Sequence, residues 1–379
     1  MSRPAGIAEP ATESELEPRV AIEASSARTI VVGSIEYVYF GGCNYLALAH
    51  EPRVVAALRE GAARYGISSG AARETTGNVR DHEELEREIA NALDFEDALL
   101  LPEGACASLA LGESLQGEFP AAIIDHESHP TLVHAARTSA TSLAIYTSVD
   151  AAVASIRAAD GTLAVWTDGV FPSAGRAAPL GALLAALPAG RGLLVVDDCH
   201  GFGVLGRRGR GSVEAEGLRD PRLVVIGTLS KALGTYGGFV AGTRAVIARV
   251  RRRSAVYAGT TPLPPALAVA ARAALAIHVG EPERHAAYAK SVRRFRERMG
   301  QLGLSIGSLE FPVFAFELDP PERMRRVHEF ALREGLFLPL IRYAGGGAHG
   351  FFRIVWNAAH TEADLNRLSD VLRRALESA

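Results

Sequence analysis

The sequence predicts an α/β protein in which an open, mostly parallel sheet is followed by a smaller α+β region. Five short apolar runs alternate with helical or loop stretches between residues 98 and 234. Four of them end within a few residues in Asp, Glu, His, Ser or Thr. From Pro265 onward long helical patterns dominate instead. Alternating strands and helices are typical of a parallel sheet, and ligands bind such sheets at the carboxyl ends of the strands.

The predicted elements are taken in chain order. Residues 1–50 form an N-terminal arm and leading segment, 51–270 a large domain and 271–379 a small domain. Helical periodicity covers 52–65 and 81–93, with a polar loop between them. The predicted strands of the large domain are ALLLPEG (98–104), AAIIDHESH (121–129), LAVWTDGVF (163–171), LLVVDDCHG (193–201) and LVVIGTLSKALG (223–234). The small domain has predicted helices at 266–279, 282–302, 321–335 and 362–378, with strands at 311–318 and 352–357.

Net charge, apolar runs and cysteine count limit the classes of protein to which this chain can belong. The 379 residues carry 40 basic and 43 acidic side chains, a formal net charge of -3, whereas nucleic-acid binders usually carry a clear positive excess. No run reaches the roughly 18 apolar residues of a membrane span. Three cysteines do not make a disulfide framework in a chain of this length. We therefore expect a cytoplasmic protein with neither a nucleic-acid partner nor a membrane span.

Lysine is scarce in this chain. Only Lys231 and Lys290 occur, so arginine supplies nearly all of the 40 basic residues. A lysine amine can form a Schiff base and can have its pKa lowered, which arginine cannot do. Scarcity therefore makes each lysine a candidate for chemistry.

Lys231 follows a predicted strand and is flanked by small hydroxyl residues. Thr228 and Ser230 can donate hydrogen bonds to a phosphate, and the glycines at 234, 237 and 238 allow the backbone to approach a bulky ligand. The alternative is an ordinary surface lysine near a turn. The position at a strand end favours a catalytic lysine.

Asp197 and His200 close another apolar strand. A buried carboxylate can keep a pyridine nitrogen protonated, which makes the ring an electron sink. The alternatives are a capping Asp with a core His, or a metal site that includes Cys199; no second tight cluster of ligands accompanies it, so we expect no metal. Residues 201–206 match G-x-G-x-x-G, but the continuation RRGRGS is a poor helix opening, which argues against a dinucleotide site.

Three further segments complete a candidate site. His129 can stack on an aromatic ring, Gly104 with Ala105 and Cys106 can present helix N–H groups to a phosphate, and Arg353 can clamp a carboxylate. A solvated loop, a plain helix cap and an internal salt bridge are the respective alternatives. Together with Lys231 and Asp197, these residues supply what pyridoxal phosphate (PLP) and an amino acid require.

At these residues the chain resembles the α-oxoamine synthases, a family of fold-type I PLP-dependent transferases of the aspartate aminotransferase type. The resemblance runs in family order over about residues 36 to 375. Its stretches are CNYLALAHEP, HEELEREIA, EDALLLPEG, DHESHPTL, TDGVFPSAGRAAPL, VVDDCHGFGVLG, GTLSKALGTYGG, TTPLPP and FRIVWNAAHTEAD.

The resemblance implies a role for each candidate residue. Lys231 forms the imine with PLP and acts as general base, and Asp197 pairs with the ring nitrogen. The remaining implied cofactor contacts are His129 on the ring, His200 at the ring hydroxyl, Gly104, Ala105, Cys106, Thr228 and Ser230 around the phosphate, and Thr260 or Thr261 reaching the phosphate of a neighbouring subunit in a homodimer. The implied substrate contacts are Arg353, Asn44 and Asn78.

The resemblance also implies a reaction. A small amino acid condenses with an acyl thioester, on coenzyme A or a carrier protein, and loses CO2 to give an α-amino ketone. Transamination, decarboxylation or racemisation on the same scaffold is the alternative, and a non-catalytic partner subunit is another. Pro172 stands where the family has serine, Ala105 where it has an aromatic residue and Ser108 where it has asparagine. These departures leave the amino acid and the acyl donor undefined.

Overall fold

The computed structural model describes residues 20–159, 161–304, 307–341 and 350–378. Within them the chain divides into two compact units. Unit 1 takes in Met1–Ala47, Pro172–Arg176 and Tyr288–Ala379, and unit 2 takes in Leu48–Phe171 and Ala177–Ala287. The predicted boundary at residue 270 lies inside a helix of unit 2, and residues 1–19 of the predicted N-terminal arm and leading segment lie outside the described residues.

The elements run in chain order as follows. The first half comprises β1 (Ala24–Ser25), β2 (Thr29–Val32), β3 (Ile35–Tyr39), a 3-10 turn (Leu48–His50), α1 (Pro52–Tyr65), α2 (Arg80–Leu93), β4 (Asp97–Leu101), α3 (Gly104–Ser114), β5 (Phe119–Asp125), α4 (Pro130–Ser139), β6 (Ala140–Tyr146), α5 (Val149–Ala158), β7 (Leu163–Asp168), β8 (Val170–Phe171), β9 (Arg176–Ala177), α6 (Leu180–Ala186) and β10 (Gly192–Asp197). The second half comprises α7 (Ser212–Ala215), β11 (Leu223–Thr228), β12 (Gly238–Gly242), α8 (Arg244–Arg253), α9 (Ala255–Gly259), α10 (Pro265–Gly280), α11 (Pro282–Gly300), β13 (Val313–Phe316), α12 (Pro321–Arg333), β14 (Leu336–Phe337), β15 (Leu340–Ile341), β16 (Phe351–Val355) and α13 (Glu362–Ser378).

Unit 2 is built on a seven-stranded sheet in the order β4-β12-β11-β10-β7-β5-β6. Strands β11, β10, β7, β5 and β6 run parallel to one another, which confirms the predicted mostly parallel sheet. Strand β12 alone is antiparallel to both of its neighbours, β11 and β4. It follows β11 after a short turn, and a short turn can join only antiparallel neighbours because a parallel pair needs a crossover connection.

The central strands of the sheet are buried on both faces. Strands β7 and β11 have no exposed residue, and Trp166 in β7 is fully buried. Helix α3 packs against α4, α8 and α9. Continuous apolar runs of this kind are expected of parallel strands covered on both sides, which is why the sequence pattern located them.

The carboxyl ends of four strands place polar residues at one edge of this sheet. Asp125 ends β5, Asp168 ends β7, Asp197 ends β10 and Thr228 ends β11. We call this the carboxyl edge. The predicted single strand at 163–171 is instead interrupted at Gly169, whose N–H donates to the Asp197 carbonyl at 2.8 Å.

Unit 1 contains two smaller sheets and three long helical segments. The sheets have the strand orders β1-β2-β3-β14 and β13-β16-β15, and α12 packs against α13. Arg353 lies in the middle of β16, opposite Ala315 of β13. In the described residues of the chain, no helix combines the length and apolar character that a membrane span requires.

Candidate active site

Lys231 lies in the turn that joins β11 to β12. Backbone hydrogen bonds close this turn on both sides: the Leu229 N–H donates to Gly237 at 2.9 Å and the Thr235 N–H donates to Leu229 at 3.0 Å. The Lys231 side chain is half-buried. A scarce amine is therefore held on a rigid turn at the carboxyl edge.

Asp197 and His129 lie within electrostatic range of this amine. Burial lowers the pKa of the His129 imidazole, the charge of Asp197 opposes that change, and the charge of Lys231 adds to it. Its Nδ1 lies 2.7 Å from the Thr131 hydroxyl and also accepts the Thr131 N–H at 3.3 Å. A neutral imidazole in a fixed orientation suits stacking on an aromatic ring.

Next to these three groups the start of α3 packs closely against the end of β11 and the start of β12, and we call this glycine-lined junction the cradle. A Cβ atom on Gly104 would lie 3.2 Å from the Cys199 Sγ and 3.4 Å from the Thr228 Cβ. A Cβ on Gly238 would lie 2.2 Å from the Glu103 carbonyl oxygen. The side chain of Glu103 does not cap α3, so the N–H groups of the first turn stay open to a phosphate.

The hydroxyl groups beside the cradle are ordered by one another. The Thr228 Oγ1 lies 2.8 Å from the Ser230 Oγ and donates to the Gly237 carbonyl at 2.9 Å. Ala105 and Cys106 lie in the first turn of α3, where the Cys106 thiol donates to the Glu103 carboxylate at 3.8 Å. These residues fit the binding of a phosphate group.

The two acidic residues at the end of β10, Asp197 and Asp198, make different hydrogen bonds. Asp197 Oδ1 accepts the Cys199 N–H at 3.0 Å, whereas Asp198 Oδ2 accepts the Ser212 N–H at 2.8 Å and secures the glycine-rich loop before α7. Burial raises the pKa of Asp198 to about 7. Asp197 is thus the member of the pair that lies near Lys231 and His129.

Two alternatives left by the sequence can be compared with the geometry of the described residues. Burial raises the pKa of the Cys199 thiol well above its usual value, so this thiol is a poor metal ligand, and the described residues contain no group of three or more metal-ligating side chains. The G-x-G-x-x-G match at 201–206 lies in turns, and the next helix begins only at Ser212. The dinucleotide interpretation therefore lacks its helix.

Other predicted residues lie elsewhere in unit 2. His200 is half-buried in the turn after β10. The Thr260 hydroxyl donates to Val256 at 2.7 Å, and Thr261 is exposed. The Asn78 side chain accepts from the Arg73 Nη2 at 2.7 Å and donates to Glu83 at 2.7 Å. In the described residues, no hydrogen bond joins Asn78 or either threonine to the Lys231 turn.

The two remaining predicted substrate residues lie in unit 1. The Arg353 side chain donates from Nη2 to the Cys43 Sγ at 3.6 Å, and its buried Nε has no hydrogen-bond partner. Among described residues no carboxylate pairs with Arg353, so they supply no support for the alternative of an internal salt bridge. Asn44 follows Cys43 and is half-buried. A half-buried arginine whose Nε is buried without a hydrogen-bond partner fits a carboxylate ligand.

Sequence reasoning missed one carboxylate at the carboxyl edge. Asp168 Oδ2 accepts the His129 N–H at 3.0 Å, and Asp168 pairs in register with Asp197 across β7 and β10. The sequence signal was an acidic residue at a strand end, but only the strand order shows what it contacts. The site thus offers an amine, an imidazole, a carboxylate and a glycine-lined phosphate cradle, which is a donor set that fits PLP.

Known proteins resemble the chain over nearly its whole length. The sequence model of the family "Aminotransferase class I and II" matches residues 36–372. An 8-amino-7-oxononanoate synthase from Thioalkalivibrio sulfidiphilus is 37% identical over 357 residues, covering 92% of this chain and 91% of that protein. The enzyme of the same name from Methylococcus capsulatus is 36% identical over 365 residues, covering 94% and 93%.

The fold has close counterparts among solved structures. A serine palmitoyltransferase variant from S. paucimobilis, with a bound PLP–myriocin aldimine, has a TM-score of 0.88 at 23% identity and covers 95% of this chain and 92% of that one. This likeness confirms the predicted fold, and the matches in sequence confirm the predicted family. The chain belongs to the aminotransferase class I and II family, and within it to the α-oxoamine synthases, the PLP-dependent transferases of fold type I.

Proposed function

We propose that this chain is a PLP-dependent acyltransferase that condenses a small amino acid with an acyl thioester and releases CO2 and a thiol. The observation that carries the proposal is the grouping of Lys231, Asp197 and His129 at the carboxyl edge. The curated relatives above are synthases by name, which favours condensation over transamination, decarboxylation or racemisation.

PLP, when bound, supplies an electron sink for the α-carbon of the amino acid. In our proposal Lys231 anchors the cofactor through its amine and then moves the α-proton of the substrate. The Asp197 carboxylate keeps the ring nitrogen protonated through a charge-assisted hydrogen bond. His129 orients the ring by stacking, and His200 bonds the ring hydroxyl.

The phosphate and the substrate have separate binding groups in this proposal. Gly104, Ala105 and Cys106 offer helix N–H groups, and Thr228 and Ser230 offer hydroxyls, to the cofactor phosphate. Arg353 binds the carboxylate of the amino acid, and its buried Nε without a hydrogen-bond partner supports this role. Asn44 and Asn78 line the substrate site.

The proposed assembly is a homodimer with shared active sites. In it Thr260 or Thr261 reaches the phosphate of the neighbouring subunit. Unit 2 is the proposed PLP-binding domain and unit 1 the smaller domain. The three free cysteines support a location in the cytoplasm, where thiols stay reduced.

The name of the relatives' product suggests substrates for a first assay. 8-Amino-7-oxononanoate is an α-amino ketone with a methyl group beside the amino-bearing carbon. Alanine minus CO2, joined to a seven-carbon acyl group with a terminal carboxylate, gives that skeleton. Alanine with this thioester is therefore the first pair to test, followed by glycine and serine with the same thioester and then with simple acyl thioesters.

The test measures thiol release and CO2 release from the holoenzyme with each pair. We expect both products in equal amounts, and neither when the thioester is omitted. Transfer of the amino group to an α-keto acid in place of thiol release would instead establish an aminotransferase. A protein that binds no PLP would be a non-catalytic partner subunit.

A further inference from the structure

Two carboxylates stand side by side at the carboxyl edge. Asp168 ends β7 and Asp197 ends the neighbouring parallel strand β10, and the two residues are register partners. Neighbouring strands lie roughly 4.8 Å apart, and each of these residues is only 8% exposed. Two buried carboxylates at register positions of adjacent strands cannot both carry a charge at low cost.

Asp168 contacts the backbone of the proposed stacking residue. Its Oδ2 accepts the His129 N–H at 3.0 Å, immediately before α4 begins. The imidazole of His129 is bonded in turn to Thr131 in the first turn of the same helix. Asp168 therefore fixes the point from which the imidazole projects.

The polar and ionisable groups that face Asp168 come from several elements. Asp197 and the Cys199 thiol belong to the end of β10, Lys231 to the turn after β11, and Ser128 and His129 to the segment before α4. Burial first, and the charge of Asp197 second, raise the pKa of Asp168 well above its usual value, against the opposite effects of His129, Ser128 and Lys231. A protonated carboxyl still has an oxygen that can accept the His129 N–H.

We propose that Asp168 is a positioning residue that serves as an uncharged hydrogen-bond acceptor for His129 and leaves the negative charge beside the ring nitrogen to Asp197. The inference rests on the proposed function, because it assigns the ring to the space next to His129. Asp168 and Asp197 occupy equivalent positions at strand ends but have different roles in this proposal. Asp197 acts through its negative charge, and Asp168 acts through the position of its acceptor oxygen.

Asparagine is the matched substitution for an uncharged acid, since it keeps the acceptor oxygen and the size of the side chain. Asp168→Asn and Asp168→Ala are compared with the wild type by the dissociation constant for PLP and by the visible circular dichroism of bound PLP, which reports a fixed ring orientation. We expect Asp168→Asn to bind PLP within about twofold of wild type with unchanged dichroism. We expect Asp168→Ala to bind about tenfold more weakly with reduced dichroism, as the loss of one buried hydrogen bond predicts.

Two results would overturn the inference while leaving the proposed function intact. Equal losses in both variants would mean that Asp168 acts through a charge, and wild-type behaviour of Asp168→Ala would mean that it positions nothing. Should Asp168→Ala fail to fold, Asp168→Asn decides alone, with wild-type dichroism in support and lost dichroism against. A wild-type protein that does not bind PLP overturns both proposals together.

Discussion

The carboxyl edge and the opposite edge of the seven-stranded sheet in unit 2 handle charge in different ways. We call the opposite edge the amino edge, and it contains a groove of about 570 Å³. The groove is lined by residues 93–96, 207–208, 210, 213–214, 217–221, 223 and 242–243. There Arg219 pairs with Asp94, and Glu214 accepts the N–H groups of Arg208 at 3.1 Å and Arg210 at 3.0 Å.

At the carboxyl edge the Lys231 amine and the Asp197 carboxylate form no ion pair. In the described chain no salt bridge joins Lys231 to Asp168 or Asp197, although all three are buried or half-buried. Charged groups that pair with one another stabilise the fold, whereas ionisable groups that lie near one another without forming an ion pair indicate a ligand. The comparison predicts that substitutions at the carboxyl edge change chemistry and that substitutions at the amino edge change at most stability.

The largest expected effect comes from Lys231→Ala. Turnover should fall by at least about 10³-fold, because a positioned general base alone contributes roughly 10²–10⁴-fold. Borohydride reduction and peptide mapping should find PLP attached at position 231 in the wild type only. The matched control is Lys290→Ala, the only other lysine and an exposed one, which should retain full activity. Substantial turnover in Lys231→Ala would contradict the assignment of the chemistry to the carboxyl edge.

Asp197→Ala should come second. Loss of a hydrogen bond to a charged group costs about 1.5–3 kcal/mol, so PLP affinity should fall by roughly 10- to 100-fold, measured by fluorescence titration of the apoprotein. Asp220→Asn is the control: this aspartate near the amino edge pairs with Arg222 at 2.7 Å and should leave PLP affinity unchanged. Equal effects of the two substitutions would erase the difference between the edges.

Acid should destabilise the protein through histidines that belong to neither edge. Burial lowers the pKa of His82, His278 and His360 to about 4. Because the unfolded chain binds protons at about pH 6.5 and the folded one does not, stability is lost as pH falls from about 6.5 to 4, by up to roughly 1.4 kcal/mol per pH unit for each group. Urea unfolding across this range should show it, and His278→Asn should lessen the slope. An unchanged slope would contradict the assignment.

His129→Ala should have a smaller effect on the cofactor. Aromatic stacking contributes about 0.5–1.5 kcal/mol beyond burial, so PLP affinity should fall roughly 3- to 10-fold in the same titration. His129→Phe keeps a stacking ring and should recover most of the affinity. If phenylalanine fails to do better than alanine, stacking is not the role of this residue.

The smallest effect is expected at the amino edge. Arg219→Ala removes the pair with Asp94, and Arg219 is 80% exposed. Exposed ion pairs contribute about 0–1 kcal/mol, so thermal unfolding should shift little and PLP affinity should not change. A loss of PLP binding would show that the two edges are coupled.

The parts of the fold that could be predicted are those where local sequence and burial agree. Strands β4, β5, β10 and β11 are apolar runs bounded by polar residues, and α1 and α2 are amphipathic. Strand β12 was not predicted, because its sequence GFVAG is rich in glycine. Pairing with strands on both sides holds it in place, and that stabilisation is invisible in a local pattern.

The candidate site likewise contains some residues that could be predicted from the local sequence and others that could not. Lys231 and Asp197 could be proposed from residue type and position at strand ends. The separate role of Asp198 depends on its hydrogen bond with Ser212, and finding Asp168 required the register between β7 and β10. The hydrogen bonds that Asn78 makes with Arg73 and Glu83 depend on the path of a loop that carries no periodic signal.

The closed turn between β11 and β12 has a practical consequence. Main-chain and side-chain hydrogen bonds within the protein hold the turn that carries the Lys231 amine. Removal of the vitamin B6 derivative should therefore leave this turn folded. Rebinding of PLP to the apoprotein should then be limited by diffusion and bond formation. It should show no lag phase for refolding of the turn.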